Sequence, residues 1–337
     1  MYNFEKLDTE VVRRIECPGT ERHYKVSLAK GFSSDAPNIL RNSAEQKFSI
    51  MIETYLPLAE KIKKLTVYED DVWVITFPKC GTTWTQEMVW LLNNELNFKN
   101  AKNTPLEERF PFLELTGALT LIGGDSVGDV ERLSRPRHIK SHLPAMLLPD
   151  QIWQVKPRII YVARNPKDAA TSFFHHYRNI VGYEGRKEHF FDAFLTDSLI
   201  YAPFSGHVLD YWRIRDEPNV LFITYEQMKR DLGQVIVTVS SFLGKSFTDT
   251  QIDQLTQHLS IDSMRANKAC NMDLLVEWAR QTNYSKKRQE SDGNQFKFIR
   301  NGNIGNYKDY MDDNYIQKFN EYETKLIMDS DLSFNIQ

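Results

Sequence analysis

Cysteine is scarce in this 337-residue chain: Cys17, Cys80 and Cys270 are far apart, odd in number, and lack the paired spacing of a zinc site or a disulfide framework. A reducing, cytoplasmic setting fits that usage. Positive charge is not in excess either, since 42 lysines and arginines face 45 acidic residues for a net charge of -3. No global basic field exists to hold a nucleic-acid backbone, so any anion must be met by local geometry. Long apolar runs are missing, and the opening MYNFEKLDTEVVRRIE carries acids among its few apolar residues. The sequence therefore predicts neither a membrane span nor a signal peptide. Asn283-Tyr284-Ser285 fits a glycosylation sequon, but without secretion it reads as chance. No cluster of His, Cys, Asp or Glu stands at metal-ligand spacing.

What is present is patterned. At 41% hydrophobic and 26% charged residues, the chain is too apolar for disorder and long enough for a large core. Residues 1–65 read as a polar lead-in with a helical pattern over residues 44–65, interrupted at Pro57. Residues 66–337 read as the core. From Asp71 the pattern changes: Val72, Val74, Ile75 and Phe77 form the apolar β-prone run of a strand covered on both faces. After a turn over residues 78–83, Trp84, Met88, Leu91, Leu92 and Leu96 recur at helical spacing, with Gln86, Glu87, Asn93 and Asn94 off that face.

Residues 98–137 read as a long irregular stretch of the kind that carries function. Further strands are expected at residues 137–140, 158–163 and 219–224, with helices between them, one capped by Asn165 and opened by Pro166. The alternation predicts an α/β fold: a single domain over residues 1–337 with a mainly parallel central sheet flanked by helices. Lys79, His142, Arg164 and Tyr225 each fall just past a strand, on the edge where such sheets bind ligands.

Thr76 to Trp84, TFPKCGTTW, places successive backbone N–H groups, a lysine and two hydroxyls at a helix start, and Gly81 allows close approach. That is a P-loop-like cradle for a phosphate-like anion. It is not the usual ATP loop, because the lysine precedes the glycine. The motif Pro-Lys-x-Gly-Thr-Thr-Trp is joined, in order, by Lys140-Ser141-His142-Leu143-Pro144, by the run Tyr161 to Asp168, YVARNPKD, and by Phe298-Ile299-Arg300-Asn301-Gly302. Together they resemble the cytosolic sulfotransferases, which use 3′-phosphoadenosine-5′-phosphosulfate (PAPS), over residues 71–308. The run TQEMVW from Thr85 to Trp90, with Asn97-Phe98, is similar to the insect members, including the retinol-dehydrating type.

The resemblance implies roles. Lys79 would stabilise the leaving phosphate oxygen, with Cys80, Gly81, Thr82 and Thr83 completing the cradle. His142 would be the general base, with Lys140 assisting at the sulfuryl group. Arg164 and Ser172 match the residues that hold the 3′-phosphate, joined by Phe298, Arg300, Asn301 and Gly302; Asn301 stands where the family usually has lysine. Trp84 and Tyr225 match adenine contacts and Ser260 a neighbouring one. Phe110, Phe112 and His176 fall where the acceptor pocket is lined, which suits a small lipophilic alcohol or phenol. The mechanism implied is in-line sulfuryl transfer with no metal required, leaving 3′,5′-phosphoadenosine (PAP).

Other readings stay open: a small-molecule kinase, a degenerate PAP-binding protein without turnover, and elimination of sulfate to leave an alkene. A homodimer is also open, although the family's dimer motif is altered here by Asp312-Asp313 and Gln317.

Overall fold

The computed structural model of the chain describes residues 1–120, 122–282, 296–300, 302–328 and 330–334. Asn301, named above as a cofactor contact, and residues 283–295, which include the sequon, lie outside them.

Strand β4 (Val72–Thr76) is buried at every position, which is why its apolar run is continuous rather than alternating. It sits inside a four-stranded parallel sheet with β5 (His138–Ser141), β6 (Arg158–Ala163) and β7 (Val220–Thr224), in the order β5-β4-β6-β7. One face, with Val72, Val74, Ile160 and Val162, packs with Trp84 and Met88 of the Thr82–Asn93 helix. The other, with Trp73, Ile75, Ile159 and Tyr161, packs with the aromatic cluster around Phe173, Phe190 and Phe204. Ile75 lies opposite Ser141, Thr76 opposite Val162, and Ala163 opposite Thr224. The strands therefore end together, and the residues that follow them emerge along one edge. At the other end, Arg137 grips Asp71 with two hydrogen bonds, 2.8 and 2.5 Å, both side chains buried.

Residues 1–65 are more than a lead-in. They build an antiparallel sheet, β1 (Tyr2–Lys6), β2 (His23–Leu28) and β3 (Ser49–Ile52), in that order. The helical pattern expected over residues 44–65 holds only for its second half. β3 replaces the first half, and Pro57 lies in the first turn of the Leu56–Lys63 helix, where its missing N–H has no intrahelical partner to lose. The stretch 98–137 is likewise not structureless: it folds as short helices Phe98–Asn103, Leu106–Arg109, Leu115–Ala118 and Ser126–Glu131, the first and last capped by Asn97 and Asp125. Gln86 and Glu87, expected off the apolar face, are buried. Gln86 donates to the Phe110 carbonyl, and Glu87 pairs with Arg109 and His258.

Candidate active site

The turn after β4 is unusual in its backbone. Lys79 has φ 69° and Gly81 φ 102°, so two of the three residues before the Thr82–Asn93 helix are left-handed. A side chain at Gly81 would meet Tyr225 Cδ2 at 2.9 Å and Met228 Cε at 3.0 Å. No side chain caps this helix, and its first-turn N–H groups are free to meet an anion. The hydroxyls of Thr76 and Thr82 lie 2.7 Å apart. Cys80 is buried, its Sγ 3.8 Å from the Pro78 carbonyl, so only its backbone can serve the cradle.

A cavity of about 670 Å³ opens over this turn. It is lined by Lys79, Gly81, Thr82, Thr83 and Trp84 from the turn and helix, and by Lys140 and His142 from the end of β5. Arg164 and Ser172 join them after β6, Tyr225 after β7, and Phe298, Arg300 and Gly302 from the later segment. Phe110, Phe112 and His176 line it as well, with Leu115, Leu119 and Ile200. Ser260 does not line it: the residue is exposed and its hydroxyl accepts from the Ser263 N–H as the cap of the Ile261–Ala266 helix.

Four cations converge here, Lys79, Lys140, Arg164 and Arg300, and none pairs with a carboxylate among the described residues. Burial, then the charges of Lys140, Arg300 and Arg164, push Lys79 down to about 7. Burial alone takes Lys140 down to about 8 against the pull of Glu114 and Glu107. Lys79 Nζ rests 3.7 Å from the centre of the Phe298 ring and Lys140 Nζ 4.1 Å from that of Phe112. Arg164 stacks on Tyr225 at 4.1 Å and donates to the carbonyls of Lys79 and Asn303. Its Nε is buried without a partner. An orphaned guanidinium N–H, uncapped helix N–H groups and four cations without ion-pair partners among the described residues fit a phosphate-bearing ligand.

The histidine is set differently. His142 Nδ1 lies 2.8 Å from the Thr76 carbonyl, so Nδ1 carries the proton and the Nε2 lone pair is left as the acceptor. Burial, then the charge of Lys140, hold His142 well below the ordinary histidine value against the bond to Thr76. It is therefore neutral. Phe112 and Tyr201 stand edge-on to it at 5.1 and 5.6 Å. His176, also held neutral by burial and the nearby lysines, lies edge-on to Phe298 at 6.0 Å.

Two features near the site had no sequence signal. Glu114, fully buried, accepts from the Ser141 hydroxyl and the His142 N–H. Arg265 reaches under the later segment, donating to the carbonyls of Ile299 and Arg300, while the Tyr225 hydroxyl donates to Gly302.

Residues 69–331 match the family described as "Sulfotransferase domain". Luciferin sulfotransferase of Photinus pyralis is 38% identical over 301 residues, covering 85% of this chain and 79% of that protein. Sulfotransferase 1B1 of Mus musculus is 30% identical over 280 residues, 82% and 88% of the two chains. Among solved structures, retinol dehydratase in a complex with retinol and PAP superposes with a TM-score of 0.81 at 25% identity, covering 99% of both chains. The same enzyme with androsterone and PAP gives 0.80 at 26% over 98% of both.

Proposed function

Since this chain belongs to the sulfotransferase family, we propose that it moves the sulfuryl group of PAPS to a hydroxyl of a small lipophilic acceptor, with His142 as base. The observation that carries this reading is the Nδ1 bond from His142 to Thr76, which leaves a neutral Nε2 lone pair on a ring lining the same cavity as Lys79 and the uncapped helix start. As the acceptor oxygen attacks sulfur, its proton passes to Nε2. The bond between sulfur and the bridging 5′-phosphate oxygen breaks, and its electron pair leaves with PAP. Lys79 stabilises that oxygen, and Lys140 the sulfuryl oxygens. Arg164, Ser172, Arg300 and Gly302 hold the 3′-phosphate, and Trp84 and Tyr225 flank the base. The transition state is loose by analogy with phosphoryl transfer, so positioning does much of the work. Phe110, Phe112 and His176 lie toward the acceptor end, whose apolar lining suits a phenol, steroid or retinoid-like alcohol.

Transfer of label from 35S-PAPS across those three acceptor classes tests the reading. A labelled ester is the expected product, and PAP binding without transfer to any acceptor would overturn it. A second outcome is favoured by the likeness to retinol dehydratase over the whole chain: the sulfate is eliminated and an alkene remains. Product mass separates the two.

A further inference from the structure

We propose that Glu114 is a positioning residue for His142, its carboxylate fixing the turn after β5 that aims the imidazole into the cavity. The proposal rests on His142 being the base.

One side chain pins three consecutive residues. Glu114 Oε1 accepts the His142 N–H at 2.6 Å, Oε2 accepts the Ser141 hydroxyl at 2.9 Å, and Ser141 Oγ accepts the Leu143 N–H at 3.0 Å. The turn is held from the other side as well. His207 Nε2–H donates to the His142 carbonyl at 2.9 Å, its Nδ1 accepts from the Tyr161 hydroxyl at 2.8 Å, and the Tyr211 hydroxyl donates to Leu143. With the ring tied to Thr76 on β4, Glu114 is the one carboxylate in a frame otherwise made of neutral donors and acceptors.

It is also tied to the acceptor side. Leu113 N–H donates to the Lys140 carbonyl and Lys140 N–H to that of Pro111, so residues 111–114 run beside β5 as a short parallel rung. The same rung carries Phe112 against the His142 ring. A change in how the acceptor seats Phe112 is thus felt by the backbone that places the base.

No ion pair compensates the buried carboxylate among the described residues, so its hydrogen bonds must do so. Only the ionised form accepts from both Ser141 and His142. Burial lifts Glu114 to about 7 against the bonds from His142 and Ser141 and the charge of Lys140. The other titratable groups that face it are Tyr55 ahead of the Leu56–Lys63 helix, Tyr201, and Tyr211 on the Phe204–Arg213 helix. Turnover should therefore be full above pH 7 and fall below it, while His142 remains neutral.

The test uses the full chain with PAPS and 2-naphthol. E114Q is expected to lower kcat about tenfold or more, to change the PAP dissociation constant less than about threefold, to lose the acid limb near pH 7, and to add little to H142A. S141A, which removes a single hydroxyl, should show a smaller loss of the same kind if E114Q does not fold. In the PAP complex, 15N-histidine NMR should show the Nδ1–H tautomer for His142 and a shifted or mixed ring signal in E114Q, whatever the acceptor. Normal kcat in E114Q or in S141A, full additivity with H142A, or unchanged ring signals would overturn the assignment. A wild-type chain that transfers to no acceptor counts against the function proposed above, and the NMR result then decides on Glu114 alone.

Discussion

Lys79 and its three cationic neighbours are held at close quarters, none ion-paired to a carboxylate among the described residues, and burial, joined at Lys79 by the neighbouring positive charges, lowers both lysines. With Lys79 at about 7 and Lys140 at about 8 before a ligand binds, an arriving dianion raises both values. PAP binding at pH 8 should therefore take up protons, and affinity should weaken as pH rises beyond 7; calorimetry in two buffers of different ionisation enthalpy reads both. Lys79→Ala and His142→Ala should each cut kcat by about a hundredfold or more. Arg164→Ala should instead weaken PAP binding by roughly 2 kcal/mol, seen in the dissociation constant rather than kcat. That these residues meet in one cavity was legible because each sits in a motif at a strand end. Glu114 was not, because its partners Ser141 and His142 are distant in sequence and a lone glutamate in an apolar stretch carries no spacing signal. Ser260 shows the converse: expected beside the nucleotide, it lies outside the cavity lining with its hydroxyl spent as a helix cap.

Among the elements, the strands of the parallel sheet were legible because full burial on two faces writes a continuous apolar run, and β6 falls at the residues expected. The helices between Phe98 and Glu131 are four to six residues long, too short for a 3.6-residue period to repeat. β3 is four residues and wholly buried, so it offers no alternation to recognise. Ile299 and Gly302 line the cavity and are held by bonds from Arg265 and Tyr225 to their carbonyls. A methyl group at Gly302 would stand 2.5 Å from Ile261 Cδ1, at φ 60°. Gly302→Ala should therefore loosen PAP several-fold, read by calorimetry, with the fold kept. Glu87→Ala should act on the fold instead: it strands the buried Arg109 guanidinium and should lower unfolding free energy by about 3–5 kcal/mol, measurable by urea titration.

At the scale of the whole molecule, the first 65 residues back the cavity wall at several points: Gly19 N–H donates to the carbonyl of the lining residue Val181, and the Thr54 hydroxyl to that of Gly117. Ile50 of β3 exchanges backbone hydrogen bonds with Tyr201 and Ala202, and Tyr201 stands against the His142 ring. Removing residues 1–28, which carry β1 and β2, should lower both the melting temperature and turnover. The four cations come from four separate stretches, at 79, 140, 164 and 300, brought together only when the chain has closed on itself. An anion that gathers them binds the folded state alone, and at a hundred times its dissociation constant it adds about 2.7 kcal/mol of stability. Resistance to heat and to proteases then follows the nucleotide concentration around the protein, so the enzyme's own lifetime becomes a gauge of the donor it consumes.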